Sequence, residues 1–373
     1  MLWFDAHLDL AYLAVNGRDM LAPLDVSALP HPPAAVTLPS LAEGGVRFAL
    51  ATIFTEPDGR DAEAYPVGDA QRAFTTGRTQ LEVYLTWKER GLALIDLPGA
   101  LRIDSGVGEV RGGMGVAQLI TEPPASRAQR IAGSGGRSAR TGPHGPLHIG
   151  ILMENADPIR SPEDLGWWKQ RGVCAVGLAW AKPSRYAGGN TTDLGLTDLG
   201  RALVREMDRL GVIHDASHLS DRAFRELCDL TDRPIIASHS NSRAILGDDA
   251  NQRHLTDDQI REITRRGGLI GLNLYSKFLI PTAPGRRPDR DRATVLEALA
   301  HIDRICDLAG SRACIGLGSD MDGGFAADRL PEGIDLPRDL FRLAEALSAG
   351  GWSDEEIGGF AFGNWARFWS GAR

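Results

Sequence analysis

Several scarcities narrow the class of this chain before any motif is read. Cysteine is rare: Cys174, Cys228, Cys306 and Cys314 are the only 4 in 373 residues, and no two of them form a C-x-x-C pair. Neither a disulfide framework nor a paired-cysteine motif is expected, and the four read as reduced residues of a cytoplasmic protein. No apolar run approaches the ~18 residues that a membrane span needs. The start of the chain lacks a basic segment, and Asp5 and Asp9 interrupt its apolar stretch, so no signal peptide is expected. The formal charge is -8 and no long Lys/Arg block occurs, which argues against nucleic acid or an anionic membrane as the main partner. No internal repeat is evident.

What is present is ordinary globular material, 43% hydrophobic and 24% charged. A chain of 373 residues suits one large α/β barrel with insertions. Eight short apolar runs, bounded by turn residues, read as strands: 2–7, 46–54, 147–154, 173–180, 212–218, 234–239, 269–275 and 313–320. Amphipathic stretches lie between them, notably 68–90, 197–210 and 292–309. Strands alternating with helices imply a parallel sheet, and eight such units suggest a closed (β/α)8 TIM barrel, a single domain over 1–373. The stretch 100–146 breaks the rhythm. It reads as an insertion, with a small hairpin within 101–120 and a Gly/Ser/Arg/Pro-rich mobile loop over 133–146. Residues 276–291 read as a second long loop.

The chain opens M-L-W-F-D-A-H-L-D-L, and His7 and Asp9, two apart, share one face of a strand. Alone, His-x-Asp fits a solvent-facing edge or a cap as well as a ligand pair. The other strand ends change the balance. Strand three ends in Glu154, strand five in Asp215 and His218, strand six in His239, strand eight in Asp320. In a parallel barrel these ends share one rim, where barrel enzymes keep their active sites. Carboxylates with three imidazoles are the ligand chemistry of zinc or a similar divalent ion. Five or six candidates are enough for two metals if one carboxylate bridges them, and Glu154 is the natural bridge. Two ions ~3.5–4 Å apart can hold a hydroxide and polarise a carbonyl together. A polar residue at a strand end is more often a helix cap, and Asp221 is assigned that duty. Asp215 is read as holding an imidazole in place. His214 and Asp322 are read as structural or peripheral, and His31, His144, His148, His254 and His301 receive no role. Trp3, Trp365 and Trp369 are read as packing.

Seven motifs, in order, resemble the renal-type (membrane) dipeptidases, peptidase family M19 of the metal-dependent amidohydrolase superfamily. They are D-A-H-L-D-L (5–10), I-L-M-E-N (151–155), the stretch G-L-T-D-L-G to R-L-G (195–211), D-A-S-H-L-S (215–220), S-H-S-N-S-R-A (238–244), R-H-L-T-D-D (253–258) and G-L-G-S-D-M-D-G (316–323). The resemblance runs nearly end to end and is weakest over 55–146. It implies a binuclear zinc hydrolase of dipeptides, L,D-dipeptides included, in which a metal-bridging hydroxide attacks the peptide carbonyl. His7 and Asp9 would bind one zinc, His218 and His239 the second, and Glu154 would bridge them. Asp320 would relay a proton to the leaving amine, and Arg253 would bind the substrate's terminal carboxylate. The family often forms dimers, so a homodimer is a partner expectation. One departure stands out. Where the family carries a histidine after strand four, this chain reads G-L-A-W-A-K-P, which puts Trp180 in the substrate-binding position, with Lys182 or Tyr186 as replacement donors. Two rival readings follow: a metal-dependent amidohydrolase of another small amide, such as an N-acyl amino acid or a lactam, and a non-catalytic barrel that keeps a metal or ligand.

Overall fold

A computed structural model describes residues 1–96, 145–247, 252–282 and 290–371, with the backbone of two short strands at 109–110 and 114–115. Eight parallel strands form the centre: β1 (Trp3–Leu8), β2 (Val46–Ile53), β3 (Leu147–Met153), β4 (Val173–Gly177), β5 (Ile213–Asp215), β6 (Ile235–Ile236), β7 (Ile270–Leu272) and β8 (Ile315–Leu317). Pairing runs β6-β5-β4-β3-β2-β1-β8-β7. A parallel bridge between Ala237 and Ile270, with Gly271 N donating to Ala237 O at 2.8 Å, joins β6 to β7 and closes the ring. The fold is the (β/α)8 TIM barrel. A short strand, Ala93–Ile95, adds to β3 outside that order and was not among the expected eight. Glu109–Val110 pairs antiparallel with Met114–Gly115, so a hairpin does lie within 101–120; the loop expected over 133–146 falls largely outside the described residues.

The helices start where local chemistry dictates. Thr197, in extended backbone, accepts from Gly200 N and opens Asp198–Leu210, and Gly211 ends it in the left-handed conformation at φ 66°. Thr294 and Glu297 form a reciprocal capping box for Val295–Ala309. One expected cap is displaced by a residue. Ser220, not Asp221, is the cap and accepts from Ala223 N; Asp221, already inside the helix, turns its carboxylate outward to Arg243 at 2.7 Å.

Apart from β1, which spans six residues like its run, the strands are shorter than their apolar runs, and several of the missing residues build the rim. β5 stops at Asp215 and β8 at Leu317, and beyond them His218, Asp320 and Asp322 take φ of 66°, 60° and 62°. A residue in the left-handed region cannot continue a strand, and non-glycine residues there concentrate at functional sites.

Candidate active site

The rim at the strand ends is polar and buried. His7, Asp9, Glu154, His218, His239, Asp320 and Arg253 are all less than a tenth exposed, and all of them but His7 line one cavity of about 770 Å³. His7 Nε2 lies 3.5 Å from Glu154 Oε2 and 3.7 Å from Asp9 Oδ1. The other oxygen, Glu154 Oε1, lies 3.2 Å from His218 Nε2 and 3.4 Å from His239 Nε2. Asp320 shares a second cluster with His7 and Asp9. Asp9 occupies the cap position of the helix Leu10–Val15 yet makes no cap bond. Its carboxylate instead accepts from Thr52 Oγ1 and stays on the rim.

The imidazoles are aimed by their far nitrogens. Ser238 Oγ donates to Asp215 Oδ2 at 2.6 Å, which leaves its lone pairs for His239 Nδ1 at 2.8 Å and His7 Nδ1 at 3.2 Å. Asn190 Oδ1 sits 2.9 Å from His218 Nδ1. Each Nδ1 therefore carries the proton and each Nε2 presents a lone pair inward. Ser238 is fixed by close backbone approach. A Cβ added to Gly271 or Gly318 would come within 1.8 or 1.9 Å of Ser238 O, so only glycine fits at either position. Asp215 acts on the imidazoles through Ser238, one bond further back than expected.

This donor set fits a divalent cation. His7 Nε2 is buried with no hydrogen-bond partner among the described residues, and the Nε2 atoms of His218 and His239 stand 2.9 Å apart with no proton of their own to share. Burial pushes Asp9 up to about 6, with Glu154 adding to it, and pushes Glu154 and Asp320 up to about 8; burial holds His218 and His239 well below the usual imidazole range. A bound cation would return such carboxylates to their charged form, and imidazoles held neutral are already in the form that ligates it.

Other residues hold the site in place. Asn273 Nδ2 donates to Asp320 Oδ2 at 2.9 Å. Tyr84 Oη donates to Thr52 O at 2.6 Å and accepts from Ala11 N at 3.0 Å, tying the start of the chain to β2. Arg253 is no surface arginine. Its Nη1 donates to Ser240 Oγ at 3.2 Å, its Nη2 to His239 O at 3.0 Å, and it lies over the Phe278 ring at 5.0 Å. Trp180 is on the cavity wall, 5.2 Å from Phe54 and 5.7 Å from the His218 ring. Lys182 also lines the cavity but is engaged by Glu56 at 2.8 Å. Tyr186 is excluded as a donor: it is fully buried and its hydroxyl is bound to Ile159 O. His214 points away, to Asp208 at 2.8 Å, and Asp322 is paired with Arg18 and accepts from the backbone of Ala35 and Val36. Thr52, Asn190, Ser238 and Asn273 were missed in the sequence. For Thr52, Ser238 and Asn273 a polar residue inside an apolar strand run was the available signal; Asn190 lies in the loop ten residues beyond the fourth run and carried none.

Comparison with known proteins is consistent with this geometry. The family model for membrane dipeptidase, peptidase family M19, matches residues 1–373. An uncharacterized protein in the pqqA 5′ region of Klebsiella pneumoniae is 31% identical over 212 residues, 55% of this chain and 74% of that protein. An uncharacterized dipeptidase of Schizosaccharomyces pombe is 32% identical over 185 residues, 48% of this chain but only 41% of the yeast protein. A crystal structure of a metallopeptidase from Rhodobacter sphaeroides, bound to a phosphinate mimic of L-Ala-D-Ala, shares the fold with a TM-score of 0.73 at 24% identity, covering 99% of this chain and 98% of that one. The chain belongs to the membrane dipeptidase family, peptidase family M19, a family of metal-dependent hydrolases.

Proposed function

We propose that the chain hydrolyses dipeptides, L,D-dipeptides among them, with two zinc or similar divalent ions. His7 and Asp9 would hold one ion and His218 and His239 the other, with Glu154 shared between them. The observation that carries this reading is the split of Glu154: Oε2 faces His7 while Oε1 faces His218 and His239. Ions held there supply an acidified water and a Lewis acid for the carbonyl. Asp320, oriented by Asn273, takes the proton and passes it to the departing nitrogen. Arg253, braced on Ser240 and His239, receives the terminal carboxylate, which selects short substrates with a free C-terminus. The dipeptide mimic bound by the Rhodobacter sphaeroides enzyme supports an L,D substrate here.

No helix among the described residues is long and apolar enough to cross a membrane. The four free cysteines support a cytoplasmic location. Trp180 favours a second substrate reading, a small amide such as an N-acyl amino acid or a lactam, because an indole brings bulk and a single N–H to the cavity wall. A panel of L,L- and L,D-dipeptides and such amides, given to zinc-loaded protein, decides between them. Dipeptide cleavage that Asp320→Asn loses by roughly 10²–10⁴-fold while keeping its metal is the expected result. Turnover retained in that variant would remove Asp320 from its role, and cleavage confined to other amides would replace the dipeptide reading.

A further inference from the structure

The cavity has a second charged region away from Arg253. The loop from Glu56 to Tyr65 brings Glu56, Asp58, Arg60, Asp61 and Glu63 to its wall. Two of the carboxylates are occupied: Glu56 pairs with Lys182 at 2.8 Å, and Asp58 accepts from Val67 N at 3.3 Å. Glu63 differs. It is only 3% exposed, its Oε1 receives a long bond from Asp61 N at 3.4 Å, and its Oε2 has no partner among the described residues. Asp61 and Glu56, the charged residues with the largest effect on it, are both acidic. A buried carboxylate with an unmet oxygen on a cavity wall lacks a cation.

Its position identifies which part of a substrate would bring one. The acidic loop follows β2, and its Ala62 N donates to Asn16 Oδ1 at 3.3 Å, whereas Arg253 is braced on Ser240 and His239 just after β6, four strands round the ring, so the acidic and basic ends of the cavity lie on different sides of the metal ligands. With the terminal carboxylate at Arg253, the acidic end faces the amino-terminal residue. The wall there is aromatic, with Tyr12 against Phe54 at 5.9 Å and Phe54 against Trp180 at 5.2 Å, which suits a long apolar stem that ends in a cation. A cavity of about 770 Å³ also exceeds what two small residues fill.

We propose that the preferred substrate is a dipeptide whose amino-terminal residue carries a cationic side chain, lysine or arginine, received by Glu63 with help from Asp61. This rests on the dipeptidase reading above. The test compares kcat/KM for Lys-Ala, norleucyl-Ala and Ala-Ala in the metal-loaded protein, Glu63→Gln and Asp61→Asn. Lysine and norleucine share a stem and an α-ammonium, so their ratio isolates the side-chain charge. The wild type is expected to prefer Lys-Ala over norleucyl-Ala by roughly tenfold or more, and Glu63→Gln to remove most of that ratio through KM. The exposed Asp61→Asn should lower it less, and keeps the test usable if Glu63→Gln folds poorly. A purely structural role for Glu63 would depress both substrates together and leave the ratio unmoved, which would overturn the proposal, as would a wild type indifferent to the charge. Cleavage without preference sinks this inference alone; no dipeptide cleaved by protein that holds its metal sinks the dipeptidase reading with it.

Discussion

The two ends of the barrel strands bury equally and hold together differently. On β3, Leu152 joins an apolar cluster with Phe4, Leu50, Ile213, Ile236, Trp365 and Trp369; two residues further on, Glu154 joins the polar rim. β5 repeats the step, with Ile213 in the cluster and Asp215 bonded to Ser238. The apolar end is stable through burial itself. At the polar end, burial pushes Glu154 and Asp320 up to about 8, so that end opposes its own charge until a cation is bound. Equal burial therefore marks a core at one end and a binding site at the other.

That contrast can be broken by exchanging the consequences of mutation. Glu154→Gln should lower turnover roughly 10³-fold or more. In metal-free protein it should change unfolding free energy by no more than about 1 kcal/mol, because it removes a charge that burial disfavours. A large stability loss in urea would show that Glu154 belongs to the core. Trp365→Ala should do the reverse. Its ring is fully buried and its Nε1 donates to Leu317 O at 3.0 Å, so a loss of about 3–5 kcal/mol is expected, with metal content of the folded fraction unaltered. Loss of metal without loss of stability would contradict that.

Smaller effects sharpen the same contrast. Ser238→Ala removes the hydroxyl shared by His7 and His239 and should weaken metal affinity roughly 10–100-fold in a chelator competition. Unchanged affinity would show that the imidazoles aim themselves. The smallest effect concerns a histidine away from the rim. His301 accepts from Ser242 N at 3.1 Å and donates to Leu279 O at 3.2 Å, and burial lowers it from 6.5 to about 4. The unfolded chain then binds its proton first, so His301 stabilises the fold fully above about pH 6.5 and progressively less down to about 4. Between pH 6.5 and 5 that is about 2 kcal/mol at most, and His301→Gln should flatten that part of the urea-stability profile. An unaltered slope in the variant would assign the dependence to other groups.

Much of this was legible in the sequence because periodicity and punctuation carry it. Seven of the eight barrel strands lie within their apolar runs and β1 overruns its run by one residue, Leu8, and helices 198–210 and 295–309 begin at Thr caps visible as residue types. The convergence of His7, Asp9, Glu154, His218, His239 and Asp320 followed from placing strand ends on one rim. Strand lengths did not follow, because left-handed residues such as His218 and Asp320 interrupt apolar runs without changing their composition. Nor did the roles of Ser238, Asn190 and Thr52, which depend on side chains from separate strands and loops meeting in space. Tyr186 failed as a donor for the same reason: nothing local says that its hydroxyl turns back to Ile159 O.

The most direct measurement is metal content per chain, by elemental analysis of protein loaded with zinc and freed of excess, for the wild type and Glu154→Gln side by side. Two ions in the wild type, and fewer than two once the bridging carboxylate is gone, are the expected result. One ion or none in wild-type protein that still cleaves dipeptides, or two ions retained by Glu154→Gln, would contradict the paired site on which the mechanism rests.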